Sequence, residues 1–247
     1  MSAHVHIRFN GELNEFLPAA QRDSDALHEL KKARSVKDLL ESVGVPHPEV
    51  DVILVNGYPV DFEERIEGGE RIEVYPAGAD LSLSPLIHNQ PAPPDEPCFV
   101  LDVHLGRLAR YLRMLGFDTL YRNDYEDPKL AEISDEEQRI LLTSDRKLLM
   151  RRRIQWGYYI RSRKPREQVV EVLRHFKLFD YRAGEKRCIN CNGIIQPVDK
   201  PRIESRLLPL TKKYYHEFYQ CDRCSKIYWQ GSHHAKMQRL IETIRAA

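Results

Sequence analysis

In HVHIRFN, residues 4–10, apolar Val5, Ile7 and Phe9 alternate with polar neighbours, the period-two pattern of a strand with one buried face. Ser35 then opens SVKDLLESVGV, where Val36, Leu39, Leu40 and Val43 share one helical face, so Ser35 reads as an N-cap and Gly44 as the stop. VDVILVNGYPV supplies a strand ending in an Asn-Gly turn at Asn56 and Gly57, and EGGERIEVYP gives a tight turn and another alternating strand. The expected order is β, β, α, β, β. Beyond it, the proline-rich LSLSPLIHNQPAPPDEP reads as a semi-rigid spacer. At Cys98 the rhythm changes. CFVLD, DTLYR, RILLT and WGYYIR are short apolar runs separated by the helical stretches HLGRLARYLRMLG, DPKLAEISDEE and DRKLLMRRRI, with EQVVEVLRHFKLF following. This alternation predicts βαβ crossovers and a parallel sheet. In the first of these helices Leu105, Leu108, Leu112 and Leu115 form an apolar stripe, which leaves Arg107, Arg110 and Arg113 largely on other faces. The expected division is an α+β unit over 1–79, a linker over 80–97, an α/β unit over 98–182 and a cysteine-bearing segment with a closing helix over 183–247.

Charge changes this picture more than composition does. The longest apolar runs, such as VILV and FVL, fall far short of the roughly 20 residues of a membrane span, so no membrane partner is expected. MSAHVHIRFNGE has no basic patch followed by an apolar stretch, and a cytoplasmic location is the expectation. The net charge is +1, yet residues 1–96 hold 8 Lys+Arg against 18 Asp+Glu, and residues 97–247 hold 30 against 19. The two parts therefore carry −10 and +11. A basic part of that size suits a polyanion, above all nucleic acid, while the acidic part suits a protein partner or simply neutralises the rest.

Asp102 ends one apolar run, Asp145 follows another in RILLTSDRKLL, and Asp124 and Asp127 follow a third in YRNDYEDP. In a parallel sheet, ligands bind outside the carboxyl ends of the strands. Carboxylates about 4 Å apart repel by around 4 kcal/mol at an effective dielectric of 20, so a cluster calls for a cation. Mg²⁺ or Mn²⁺ so held activates water and stabilises charge on a phosphodiester, while Arg107, Arg146, Lys147, Arg151, Arg152 and Arg153 would grip phosphates. The plainer alternative makes Asp102 and Asp145 helix N-caps and RKLLMRRR a solvated face.

Cys188, Cys191, Cys221 and Cys224 form two CxxC knuckles, CINC and CDRC, with 29 residues between the pairs. Four thiolates at this spacing suit a tetrahedral Zn²⁺ in a zinc ribbon; a redox pair and an iron–sulfur cluster are the rivals. A structural zinc leaves no open position for chemistry. Between the knuckles, Arg202, Arg206, Lys212 and Lys213 run into YYHEFY, suited either to RNA stacking or to a small ribbon core.

LDVHLGRLARYLRMLGFDTLY, YRNDYED and RILLTSDRKLL, continued by CDRCSKIYWQGSHHAKM, resemble the Mut7-C RNase domain, a member of the PIN-like nuclease group, over roughly residues 98–240. The N-terminal unit resembles a β-grasp, ubiquitin-like domain of the sulfur-carrier type, although the chain continues through Tyr75, Pro76 and Ala77 where carriers end in Gly-Gly. It is also similar to the ubiquitin-like domain often fused to this family. The resemblance implies a metal-dependent ribonuclease with Asp102, Asp124 and Asp145 as metal carboxylates and Asp127 as a fourth. The alternative is a non-catalytic RNA-binding or scaffold protein whose acidic domain recruits a partner.

Overall fold

The computed structural model describes residues 3–77, 79, 81, 85–92, 94, 96–182 and 184–245. By its internal packing the chain divides into two compact units. One is Met1–Pro94 with Asp127–Tyr159, and the other is Asp95–Glu126 with Ile160–Ala247.

In the first unit β1 (Ala3–Phe9), β2 (Ala26–Leu30), β3 (Arg34–Ser35), α1 (Val36–Val43), β4 (Val50–Val55), β5 (Tyr58–Val60), β6 (Arg65–Ile66) and β7 (Arg71–Pro76) follow in chain order. Five strands form a mixed sheet in the order β2–β1–β7–β4–β5, with β1 and β7 parallel at its centre and β3–β6 set apart as a short pair. The alternation in β1 buries Val5, Ile7 and Phe9, and α1 covers them with Val36, Leu39 and Leu40. Ser35 caps α1 by accepting from Asp38 N–H, and Gly44 ends it in the left-handed conformation at φ 101°. This is the arrangement of a β-grasp domain.

The spacer docks in part. Asn89 donates to the carbonyls of Asp51 and Val60, Gln90 to those of His47 and Val50, and His88 pairs with the Asp51 carboxylate at 2.8 Å. Proline content sets stiffness, but Asn89 and Gln90 also satisfy backbone carbonyls of β4, β5 and the turn before β4, while His88 pairs with a side chain.

Next come β8 (Phe99–Leu101), α2 (Gly106–Met114), β9 (Thr119–Leu120), α3 (Asp127–Glu136), β10 (Ile140–Thr143), α4 (Arg146–Leu149) and β11 (Gly157–Tyr159). Strand β8 pairs in parallel with β9 in the second unit, and β10 pairs in parallel with β11 in the first. Every residue of β8 and β10 is buried, as expected for short strands covered on both faces. The helix read over DRKLLMRRRI is shorter than its pattern. Only Arg146–Leu149 are helical, because the chain turns at Arg151–Arg153 to bury Ile154.

The second unit is completed by α5 (Pro165–His175), β12 (Ile195–Val198), α6 (Lys200–Ile203), α7 (Pro209–Tyr214), β13 (Phe218–Cys221), β14 (Ile227–Tyr228) and α8 (Ser232–Arg245). Strands β12–β13–β14 form an antiparallel sheet carrying the second cysteine pair at its end. Among the described residues no helix is long and apolar enough to cross a membrane.

Candidate metal centre and acidic strand ends

The knuckles meet. Strands β13 and β14 bring CDRC beside the turn that carries CINC, and the four sulfurs lie within 4.8 Å of one another. Cys188 Sγ is 3.6 Å from Cys224 Sγ, and Cys191 Sγ is 3.4 Å from Cys221 Sγ. A zinc ion about 2.3 Å from each sulfur sets tetrahedral S···S separations of about 3.8 Å, so the cluster fits zinc with little adjustment. Burial opposes ionisation of Cys188, but the Tyr228 hydroxyl and the Cys191 and Asn190 N–H groups more than offset it, drawing the thiol down to about 7. Burial and the neighbouring thiols push Cys191 up to about 12, and burial raises Cys221. Four adjacent thiolates thus need a cation among them. The turn is tight at Gly193, where a Cβ would stand 2.5 Å from Asp222 Oδ1 and 2.7 Å from Cys221 Sγ.

Groups that the spacing of cysteines does not announce hold this site to the rest of its unit. Asn192 is buried with φ 70°; its amide donates to Asp118 Oδ1 at 2.7 Å and accepts from Thr119 N–H at 2.9 Å. Arg187 pairs with Asp118 at 3.4 Å. Arg113 is only 4% exposed, donating to the carbonyls of Thr119 and Asn190. Burial lowers its pKa, while Cys191, Cys188 and Asp118 favour its charge. Arg113 therefore does not share the wet face with Arg107 and Arg110. It lies one helical turn after buried Ala109, on the flank of the apolar stripe. The asparagine had a signal in the sequence: the Asn-Gly pair after Cys191 marks a turn with positive φ. Arg113 had none.

The four aspartates stand differently. Asp102 follows β8 and is 4% exposed; its Oδ1 accepts from His104 N–H at 2.7 Å and caps the short turn leading into α2. Gly106 at that start admits the Tyr121 ring, whose hydroxyl would be 2.7 Å from a Cβ there and which donates to the Val103 carbonyl. Asp145 follows β10, is exposed, and caps α4 by accepting from Lys147 N–H at 2.8 Å. Asp124 is 59% exposed and both its oxygens are held by Arg122, at 2.8 and 2.6 Å. That pair draws its carboxyl below the usual range. Asp127 opens α3 and lies 3.5 Å from Arg151. Asp102 and Asp124 belong to one unit, Asp127 and Asp145 to the other. Among the described residues, the cysteines are the group of three or more metal-ligating side chains placed to hold an ion, and the aspartates are not part of one.

Of the basic residues, Arg107, Lys147, Arg151 and Arg152 are exposed. Arg146 is half-buried, donating through Nη1 to the Phe16 carbonyl at 2.8 Å.

The family model described as the Mut7-C RNAse domain matches residues 97–241, and the one described as Mut7-C ubiquitin matches residues 2–82. No curated protein matches the chain.

Proposed function

From the premise that this chain belongs to the Mut7-C RNase domain family, we propose that it is a metal-dependent ribonuclease that hydrolyses RNA phosphodiester bonds. The match over residues 97–241 carries the reading, and the +11 charge of residues 97–247 supports a polyanionic substrate. In this proposal Asp102, Asp124 and Asp145 hold Mg²⁺ or Mn²⁺, with Asp127 as a fourth carboxylate. Their donor set, all carboxylate oxygen, is the chemistry of a hard divalent ion. Such an ion, when bound, supplies a water acidic enough to attack phosphorus and offsets charge on the phosphodiester. The protein's own share is to orient carboxylates and hold RNA. The cap bonds from His104 N–H and Lys147 N–H fix one oxygen each of Asp102 and Asp145 at the ends of β8 and β10. Exposed Arg107, Lys147, Arg151 and Arg152 contact phosphates and so position the strand without reading its bases.

The cysteine cluster holds a structural zinc in this reading, and its free thiols suit a reducing compartment such as the cytoplasm. The division into 1–79, 80–97, 98–182 and 183–247 is proposed with it, and the acidic first domain is open to a protein partner.

One observation favours the second reading, a non-catalytic RNA-binding or scaffold protein. Both oxygens of Asp124 are taken up by Arg122. Cleavage assays on single-stranded RNA with Mn²⁺ separate the two. Asp102→Asn and Asp145→Asn keep the caps, since asparagine caps as well as aspartate. Each should lower kcat by about a hundredfold or more, the scale of losing a group that stabilises developing charge. Salt-sensitive binding without turnover under any divalent ion selects the second reading, and unchanged cleavage by the double variant overturns the first.

A further inference from the structure

The β-grasp domain and the segment Asp127–Tyr159 lie in one compact unit. Opposite charges along the sequence suggest a loose electrostatic association between the acidic domain and the basic run of Arg146–Arg153. The junction is built otherwise. His47, 6% exposed, donates through Nε2 to the Ile154 carbonyl at 2.9 Å while its Nδ1 pairs with Glu41 at 2.6 Å. Glu49, 4% exposed, accepts from Tyr159 N–H at 2.6 Å, and Trp156 donates to the Ala92 carbonyl at 3.2 Å. Buried polar groups that find partners across a junction would be stranded by its opening, which marks a permanent contact rather than a movable lid.

Arg146 is the centre of this junction. Its guanidinium lies over the Phe16 ring at 5.0 Å and the Tyr159 ring at 5.7 Å, and those rings meet edge to face at 5.3 Å. Nη1 also donates to the Phe16 carbonyl at 2.8 Å. A side chain caged in this way is not presented to phosphates as its exposed neighbour Lys147 is. Its backbone lies between Asp145 and Lys147, inside the capping turn that aims the Asp145 carboxylate. Asp145 N–H is held by Thr143 Oγ1 at 2.9 Å, on the strand side of the turn. Helix α4 has four residues, too few to hold itself, so its first turn depends on tertiary anchors.

We propose that the β-grasp domain is a fixed buttress of segment 127–159, and that Arg146 is the positioning residue through which it holds the Asp145 turn. Only the kinetic arm of the test rests on the ribonuclease reading. The full-length protein is compared with Arg146→Lys, which keeps the charge but loses the planar fork, and with Phe16→Leu, which keeps an apolar side chain but removes the ring.

Amide exchange over residues 143–149 should quicken by about tenfold in both variants, the scale of one lost cation–π contact. With Mn²⁺ and RNA, kcat should fall with it while KM stays within about twofold, because a mis-aimed carboxylate slows turnover and leaves RNA binding intact. Unchanged exchange in both variants overturns the proposal whatever the activity. So does a raised KM for Arg146→Lys with Phe16→Leu silent, which would make Arg146 a phosphate contact. A wild-type protein that cuts no RNA sinks the ribonuclease reading instead, and the exchange data still decide the buttress.

Discussion

The cysteine cluster and the acidic strand ends are both sets of four side chains of metal-ligating type, and only the cysteines are brought together among the described residues. Each cysteine pair sits on a two-residue knuckle, so half the geometry is local; one antiparallel sheet then brings the halves within reach. Each aspartate instead has another occupation, a cap bond at Asp102 and Asp145 and an ion pair two residues away at Asp124 or with the more distant Arg151 at Asp127. The sulfurs find hydrogen-bond partners beside the cluster, Cys188 with the Tyr228 hydroxyl and Cys221 with Arg223 N–H, so those bonds do not draw them apart. The carboxylates have alternatives that cost little, so an ion must compete with them. In the proposed reading the cysteine set is a folding device, and the acidic set is the place to look for exchangeable ligands.

The largest test of this contrast removes the proposed zinc. Structural zinc contributes about 10–16 kcal/mol in small metal-dependent folds at neutral pH, more than a domain's usual net stability. Chelation at pH 7, or Cys221→Ser, should therefore unfold the ribbon and expose Thr119 N–H, which Asn192 covers. Amide exchange at Thr119 and a fall in the thermal midpoint check this. Retained protection would show that the knuckle holds its place without metal.

A smaller effect is expected one step out from the metal. Asn192→Ala removes the acceptor for Thr119 N–H and the donor to Asp118 in a buried site. It also places an alanine at φ 70°, which asparagine tolerates and alanine resists. A loss of about 2–3 kcal/mol in denaturant unfolding follows, from stranded polar groups in the interior. An effect below about 0.5 kcal/mol, the level of an ordinary surface change, would mean that the knuckle and β9 are held together by other contacts.

What the sequence made legible follows the same divide. The N-terminal sheet, α1 with its Ser35 cap and Gly44 stop, the parallel pairs and the cysteine set all rest on short-range patterns: period two, period 3.6, CxxC. Three features escaped it because they depend on distant partners. Arg113 looks like one of three solvent-facing arginines until α2 packs with it on the buried flank. The basic run after Asp145 looks like a helix until Ile154 must be buried. Arg146 looks like a phosphate contact until Phe16, 130 positions earlier, closes over it. In the two arginine cases a long side chain has an apolar stem as well as a charge, and sequence patterns register only the charge.

The smallest expected effect probes the acidic side directly. Asp124 is exposed and held by a bidentate guanidinium, and that hydrogen-bonded pair lowers its pKa below the ordinary aspartate value. A depressed folded-state value means that the pair's contribution is complete above the unfolded pKa and disappears as pH falls through the folded one, so the window lies on the acid side of about pH 4. Exposure to solvent and screening make that contribution too small to register in the melting temperature. NMR titration of the Asp124 carboxyl should instead show a low midpoint that rises with added salt and returns to the ordinary range in Arg122→Gln. The same resonance reports on metal. If Asp124 ligates Mn²⁺, substoichiometric Mn²⁺ should broaden it, and more so in Arg122→Gln, where the competing guanidinium is gone. A resonance that stays sharp in both proteins would leave Asp124 a surface ion pair and remove it from the acidic set.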